Sequence, residues 1–168
     1  MKRILLWIVP VLLFWGAEQG FAAAAGMSLH FIDAGEGESI LILAPDGRAA
    51  LVDAGNPVTG YKVAEYVRET AGKIEHMIFT HPHFDHIGGA FFTLQMLHVA
   101  SVHDNGSELP HLAGENSVYR WYEELVRKDK RYRPLAAGDR FSLGEVEMRV
   151  LWPHPPRQRR MGANAESL

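Results

Sequence analysis

Thr80-His81-Pro82-His83-Phe84-Asp85-His86-Ile87-Gly88-Gly89 is the stretch that decides how this chain is read. Three histidines and a carboxylate follow directly on the apolar run Met77-Ile78-Phe79, which predicts a buried strand. Imidazole nitrogen and carboxylate oxygen are the donors that zinc and similar borderline-soft ions take. On a turn, the spacing His-x-His-x-Asp-His lets alternate side chains point to a common centre. His81 and His83 can then hold one ion while Asp85 and His86 hold a second. Paired ions of that kind are the apparatus of metal-assisted hydrolysis. A polar loop merely rich in histidine would not be expected to set four ligand-type residues between a strand and a glycine pair. Gly88 and Gly89 permit close backbone packing as the chain turns into a helix over 90–97.

Outward from this loop, short apolar runs alternate with turn residues. Residues 28–33 predict a strand, followed by the loop Ala34-Gly35-Glu36-Gly37-Glu38. Residues 39–44 and 48–53 predict two more strands, joined into a hairpin by Pro45-Asp46-Gly47. Ala54-Gly55-Asn56-Pro57 breaks the run, and residues 61–70 carry Val63, Ala64, Tyr66 and Val67 at helical spacing before Gly72. A strand over 74–79 leads into the histidine loop. Downstream, 99–102 predicts a strand and 117–128 a helix, with Ser117 as its cap and Trp121, Tyr122 and Leu125 as its apolar side. Residues 145–152 alternate as a strand. The expected fold class is one α/β domain of the α+β type, built on hairpins rather than on βαβ parallel units.

Composition narrows the function classes. The 168 residues are 47% hydrophobic and 22% charged with net charge −3, which suits one globular domain and gives no global pull toward nucleic acid or an anionic membrane. The absence of cysteine excludes disulfides, thiolate metal sites and cysteine nucleophiles together. Lys2 and Arg3, the apolar stretch 4–15 and the alanines at 22–25 predict that residues 1–25 are a signal peptide, cleaved after Ala24 or Ala25. The stretch is shorter than the roughly 20 residues of a spanning helix and is interrupted by Pro10, so no stable membrane association is expected after cleavage. Gly35-Glu36-Gly37 begins like a dinucleotide loop, but Ile40 stands where a third glycine is needed. No Gly-x-Ser-x-Gly elbow and no phosphate loop of the Walker kind is present.

The histidine loop resembles the signature of the metallo-β-lactamase-fold hydrolase superfamily. Phe31-Ile32-Asp33-Ala34-Gly35-Glu36-Gly37-Glu38-Ser39-Ile40-Leu41 and Leu51-Val52-Asp53-Ala54-Gly55 are similar to its opening strands. Their wording is closest to the branch typified by the extracellular hydrolase domain of the competence protein ComEC. The resemblance implies an αββα sandwich with two metals at one sheet edge. His81 and His83 would bind the first, Asp85 and His86 the second, and Asp85 would also orient the bridging water and shuttle its proton. A metal-bound hydroxide would then attack an ester, amide, thioester or phosphodiester. Zinc is the expected ion, and manganese or iron accept the same ligands. Asp53 is expected either to lie beneath the loop and fix a ligand imidazole or simply to cap its turn. Drug-hydrolysing β-lactamases often complete the second site with cysteine, so β-lactamase activity is not expected here. The aspartate-histidine pair is more like glyoxalase II, lactonases and nucleases.

The resemblance also calls for a third histidine, a bridging aspartate and a late histidine. His154, in Leu151-Trp152-Pro153-His154-Pro155-Pro156, is the candidate third ligand, although its proline-rich setting equally suits a plain turn. His30, His76, His98, His103 and His111 are expected to be satisfied strand or surface residues. The region 26–168 is therefore expected to be the N-terminal part of the hydrolase domain, truncated at its C-terminal side. The expected function is an exported, metal-dependent hydrolase acting on an ester or phosphodiester-type substrate. The alternative is a non-catalytic metal-binding protein or inactive truncated remnant. The substrate would be a small molecule or a nucleic acid. Arg127, Lys128, Lys130, Arg131 and Arg133, with Trp121, Tyr122 and Tyr132, could follow a phosphate backbone or form an ordinary solvated face.

Overall fold

The computed structural model of the protein describes residues 26–107 and 117–153. The expected signal segment, His111 and His154 lie outside those residues. Strands β1 (Ser28–Phe31), β2 (Ile40–Leu43) and β3 (Ala49–Val52) form an antiparallel meander. Helix α1 (Gly60–Thr70) then crosses to β4 (Lys73–Ile78), which lies parallel to β3. Helices α2 (Phe84–Ile87) and α3 (Ala90–Met96) cross to β5 (His98–His103), parallel to β4. The sheet order is β1-β2-β3-β4-β5. Helix α4 (Ser117–Tyr122) continues into a π-helical turn, Glu123–Arg127, and β6 (Arg140–Leu143) pairs with β7 (Val146–Arg149) in a separate antiparallel hairpin.

The expectation of a sheet built on hairpins without parallel units is corrected by β3-α1-β4 and β4-α2-α3-β5. The cause is visible in burial. Ala49, Ala50 and Leu51 of β3 are all buried, so both faces of the strand are covered and its sequence is a continuous apolar run. That is the pattern of a parallel strand, and a helix of eleven residues separates it from β4.

Residue parity sorts the two cores. Leu41, Leu43, Ala49 and Leu51 face the helices, where Val63 and Val67 of α1, Ile87, and Tyr119, Tyr122 and Val126 pack. Ile40, Ile42, Ala44, Ala50 and Val52 face the other way, onto Leu143, Val146 and Met148 of the β6-β7 hairpin. Burying one Leu or Ile side chain is worth about 1.5–3 kcal/mol, so the hairpin is held chiefly by this second, smaller core. Neither β6 nor this packing was anticipated from the sequence.

Two local features place the histidine loop. Asn56 Oδ1 accepts the backbone N–H of Val58 and of Thr59 at 2.8 and 3.0 Å, which organises the entry to α1. Gly89 then lies so close to α1 that a Cβ there would run into the Ala54 carbonyl and the Gly60 Cα. The glycine pair thus does what the sequence suggested: it lets the backbone after the histidines press against the start of α1.

The helix around Trp121 is also corrected in detail. The buried stripe is Tyr119, Tyr122 and Val126, while Trp121 and Leu125 remain partly exposed. In an α-helix a residue five positions on is turned away by roughly 140°. The π turn removes that offset and brings Tyr122 and Arg127 to the same side. Both reach the buried Asp104: Tyr122 Oη donates at 2.9 Å and Arg127 Nε at 2.9 Å, joined by the Tyr132 hydroxyl. This network ties the helix to the end of β5.

Candidate metal centre

The carboxyl ends of β1, β3, β4 and β5 all point to one end of the sheet, because β1 runs antiparallel to β2 and β2 to β3. Three loops are laced together there by backbone bonds. Ala54 N–H donates to the His86 carbonyl at 2.9 Å, Gly55 N–H to the Glu38 carbonyl at 3.0 Å, and Glu38 N–H to the Asp85 carbonyl at 3.3 Å. The functional side chains therefore stand on backbone that is hydrogen-bonded across segments distant in sequence.

Asp53 is the keystone. It is fully buried and holds a left-handed backbone, φ +56°, a region asparagine and aspartate tolerate better than other residues with a Cβ. Its Oδ1 accepts the Thr80 N–H at 2.9 Å. Its Oδ2 accepts the Thr80 hydroxyl at 2.6 Å and His86 Nδ1–H at 2.7 Å. Asp53 thus lies beneath the loop and fixes an imidazole, while also shaping the turn after β3; the two roles considered from sequence coexist.

With Nδ1 of His86 committed to Asp53, its Nε2 carries the free lone pair and lies 3.6 Å from Asp85 Oδ2. The rings of His81 and His86 are 4.0 Å apart between centroids, and those of His81 and His83 4.7 Å. Of the four motif residues, the His81 ring thus neighbours those of His83 and His86, and Asp85 neighbours His86. Burial, then the neighbouring His86 and His83, pushes the His81 pKa down to about 4, so its imidazole is neutral at neutral pH. At His86 burial works downward, but the hydrogen bond and charge of Asp53, with Asp85 and Glu38 adding, outweigh it and raise the pKa.

Glu38 is the site residue the sequence reading missed. Glu38, Asp53 and His86 each bring a donor atom within 4.8 Å of the others. The available signal was Gly37, at φ +144°, where a Cβ would strike the Asp85 carbonyl. Only a glycine lets the Glu38 backbone come so near the histidine loop.

The sequence model of the metallo-beta-lactamase superfamily matches residues 33–158. The chain belongs to the metallo-beta-lactamase superfamily. Members of this superfamily are generally metal-dependent hydrolases. Among solved structures, the chain is similar to the metallo-beta-lactamase SMB-1 in complex with mercaptoacetic acid, at 19% identity and TM-score 0.55, covering 76% of this chain and 51% of that one. It is also similar to MEM-A1, a subclass B3 metallo-beta-lactamase from a soil metagenome library, at 20% identity and TM-score 0.53, covering 79% and 51%. A third is the chemotaxis sensor ODP with a diiron species, at 17% identity and TM-score 0.51, covering 71% and 46%. The chain thus spans about half the length of these structures, and at such identities the likeness concerns the fold. No curated protein matches the chain.

The donor set fits the metal such a superfamily member carries. A ligating histidine usually gives its other ring N–H to a carboxylate or carbonyl, as His86 does to Asp53. His81 is neutral, as a ligand must be.

The remaining histidines lie apart from this centre or outside the described residues. His30 bonds Tyr66 Oη at 2.8 Å, and His76 and His103 contact each other at 3.1 Å. His98 is exposed. The basic run is largely spent within the chain. Arg127 binds Asp104, Lys128 binds Glu124, and Arg131 binds Asp129 and the Val99 carbonyl. Tyr122 is fully buried.

Proposed function

We propose that the protein is a metal-dependent hydrolase of an ester or phosphodiester-type bond, with His81 and His83 holding one ion and Asp85 and His86 a second. The observation that supports this reading is that the His81 ring lies against those of His83 and His86 while Asp85 neighbours His86 Nε2, with Asp53 bonded to the other nitrogen of His86. Bound there, divalent ions would polarise the scissile group and supply a nucleophile at neutral pH. Zinc is the first choice for this nitrogen-oxygen donor set, with manganese or iron accepted by the same residues. Asp53 holds the His86 ring by Nδ1, leaving Nε2 as the nitrogen an ion would take. Burial keeps His81 from taking up a proton that would compete for its lone pair. Asp85, partly exposed beside His86 Nε2, is the carboxylate placed to accept a proton as the bond is attacked. Its role is therefore catalytic as well as ligating.

The wording of residues 31–41 favours the ComEC-like branch and thus a phosphodiester substrate, either a small molecule or a nucleic acid. The basic start, apolar stretch and alanines of residues 1–25 favour export to the periplasm or outside the cell, with residues 26–168 carrying the hydrolase domain. A second reading is a non-catalytic metal-binding protein: the donor group found among the described residues is Glu38, Asp53 and His86, and the chain spans about half the length of its solved neighbours.

The test is metal stoichiometry measured with turnover. Two bound ions, and metal-dependent hydrolysis of bis(p-nitrophenyl) phosphate or p-nitrophenyl acetate that Asp85→Asn abolishes, are expected. One ion or none without turnover would give the second reading. Hydrolysis of a carbapenem instead would reassign the substrate class.

A further inference from the structure

Away from the histidine loop, His76 of β4 and His103 of β5 form a chain of contacts that crosses between the two sheets. His103 Nδ1 lies 2.9 Å from the Arg133 carbonyl, and His76 Nε2 lies 3.0 Å from the Ser142 carbonyl of β6. Between the rings, His76 Nδ1 and His103 Nε2 are 3.1 Å apart. The line thus reads carbonyl, imidazole, imidazole, carbonyl, with three gaps. Each outer gap needs an N–H aimed at an oxygen, because a carbonyl can only accept. Two neutral imidazoles own one proton each, and both are used at the outer gaps. The central gap is then two bare lone pairs facing each other at hydrogen-bond distance.

The neighbouring hydroxyl does not remove the shortage. Ser101 Oγ sits 2.9 Å from His76 Nδ1 and 3.1 Å from His103 Nε2, but it donates to the Glu75 carbonyl at 2.7 Å. It therefore adds a third acceptor to the centre. Turning its single proton inward would satisfy one ring nitrogen and forfeit the Glu75 bond.

We propose that His76 and His103 share one proton across the central gap, forming a singly charged pair that fastens the β6-β7 hairpin to the main sheet. Geometry selects a proton over a metal ion. The ring centroids are 5.3 Å apart and the nitrogens 3.1 Å, a difference of about 2.2 Å, or roughly the two ring radii. The nitrogens therefore lie almost on the line between the rings, as in a linear N–H···N bond. An ion bound to both at about 2.0–2.1 Å would sit off that line and pull the rings into a bent arrangement. Phe141 of β6 packs on the pair, 4.7 Å from the His76 ring and 5.7 Å from that of His103.

The charged surroundings suit one positive charge and not two. The Arg133 carbonyl and, from the end of β5, Asp104 act to hold a proton on His103, while the charge of the Arg133 side chain acts against it more weakly. On β4, Glu75 is paired with Arg48. On the hairpin, Arg140 and Glu147 pair with each other at the surface. Burial, the largest cause, lowers the His103 pKa and so opposes charge on that ring, and the nearby His76 opposes a second proton on the pair. The hairpin should be held most firmly while the pair shares its proton. It should loosen when the shared proton leaves.

The test is NMR of the full chain, 15N-labelled, in EDTA at pH 6. The expected result is one ring proton scalar-coupled to two nitrogens of different residues, His76 Nδ1 and His103 Nε2. Raising the pH should abolish that coupling. Amide-exchange protection at Phe141, Leu143, Val146 and Met148 should then fall at least tenfold, while Leu41 and Leu51 keep theirs. Two neutral rings without coupling at every pH would overturn the proposal. So would hairpin protection that does not follow the coupling, or ring signals that change on EDTA addition as a bound metal is withdrawn.

Discussion

Replacing Asp53 by asparagine would test the link between the fold and the candidate metal centre at a single atom. Asparagine tolerates the φ of +56° that this position requires, so the backbone is not perturbed. Its carbonyl oxygen can take the place of Oδ1 and accept the Thr80 N–H. The amide nitrogen then stands where Oδ2 was, and it can only donate. His86 Nδ1 must change from donor to acceptor, which moves the ring proton to Nε2, the nitrogen that faces Asp85. Three hydrogen bonds to a buried carboxylate, from the Thr80 N–H, the Thr80 hydroxyl and His86, each worth about 1.5–3 kcal/mol, become neutral bonds worth about 1 kcal/mol, so stability should fall by about 3 kcal/mol. A ligand imidazole with the wrong tautomer should bind its ion about 10–100-fold more weakly. Urea titration in EDTA measures the first effect, and zinc competition against a chromophoric chelator measures the second. Zinc affinity within threefold of the parent, in a variant that still folds, would refute the argument that Asp53 selects the His86 tautomer.

Other outcomes follow from features of the same scaffold. Gly89→Ala should cost at least about 2 kcal/mol in urea titration, because its Cβ meets the Ala54 carbonyl and the Gly60 backbone; a change under about 0.5 kcal/mol would show that α1 and α3 part freely. Arg127→Met leaves the carboxylate of Asp104, only 2% exposed, without its cation and should cost about 3 kcal/mol. A loss below about 1 kcal/mol would mean that the Tyr122 and Tyr132 hydroxyls alone carry that charge. The Arg131 hydrogen bond holds the Asp129 pKa down at about 2, from 3.8. The stability this pair adds is present above the unfolded value and lost as pH falls through the folded one. The parent should therefore lead Arg131→Gln above about pH 4 and converge with it near pH 2 in acid titrations followed by circular dichroism.

How much of this could be read from the sequence differs by the range of the interaction involved. The histidine loop, its preceding strand, the Pro45-Asp46-Gly47 hairpin and helix α1 are local patterns, and each stands where its pattern predicts. Asp53 was legible because it ends a strand just before a glycine turn. The parallel pairing of β3 with β4 was misread because a four-residue apolar strand looks the same whether its partner runs with it or against it. The sign was that both parities of β3 are apolar, which demands cover on both faces. Tyr122 was read as apolar from the sequence, but Tyr119 and Val126, three residues before it and four after, were passed over for Trp121 and Leu125, which the structure leaves partly exposed. β6 was missed although Gly144-Glu145 is a two-residue hairpin turn, with Gly144 at φ +62°, between alternating residues. Glu38 depends on Gly37 approaching the Asp85 backbone; the glycine is visible in the sequence, but the segment it approaches is not.

The meander and the two crossovers give the sheet a working end and a quiet end. Asp53, the histidine loop and Asp104 all follow strands whose carboxyl ends lie together. The Pro45-Asp46-Gly47 turn sits at the opposite end of β2 and β3, roughly 20 Å along the chain from Asp53. Nothing lies within 4 Å of where a Cβ on Gly47 would be. That turn is a natural handle. A dye, an affinity tag or a tether to a surface could be carried there with the chemistry facing outward, and the neighbouring end of the sheet would serve as the protein's foot.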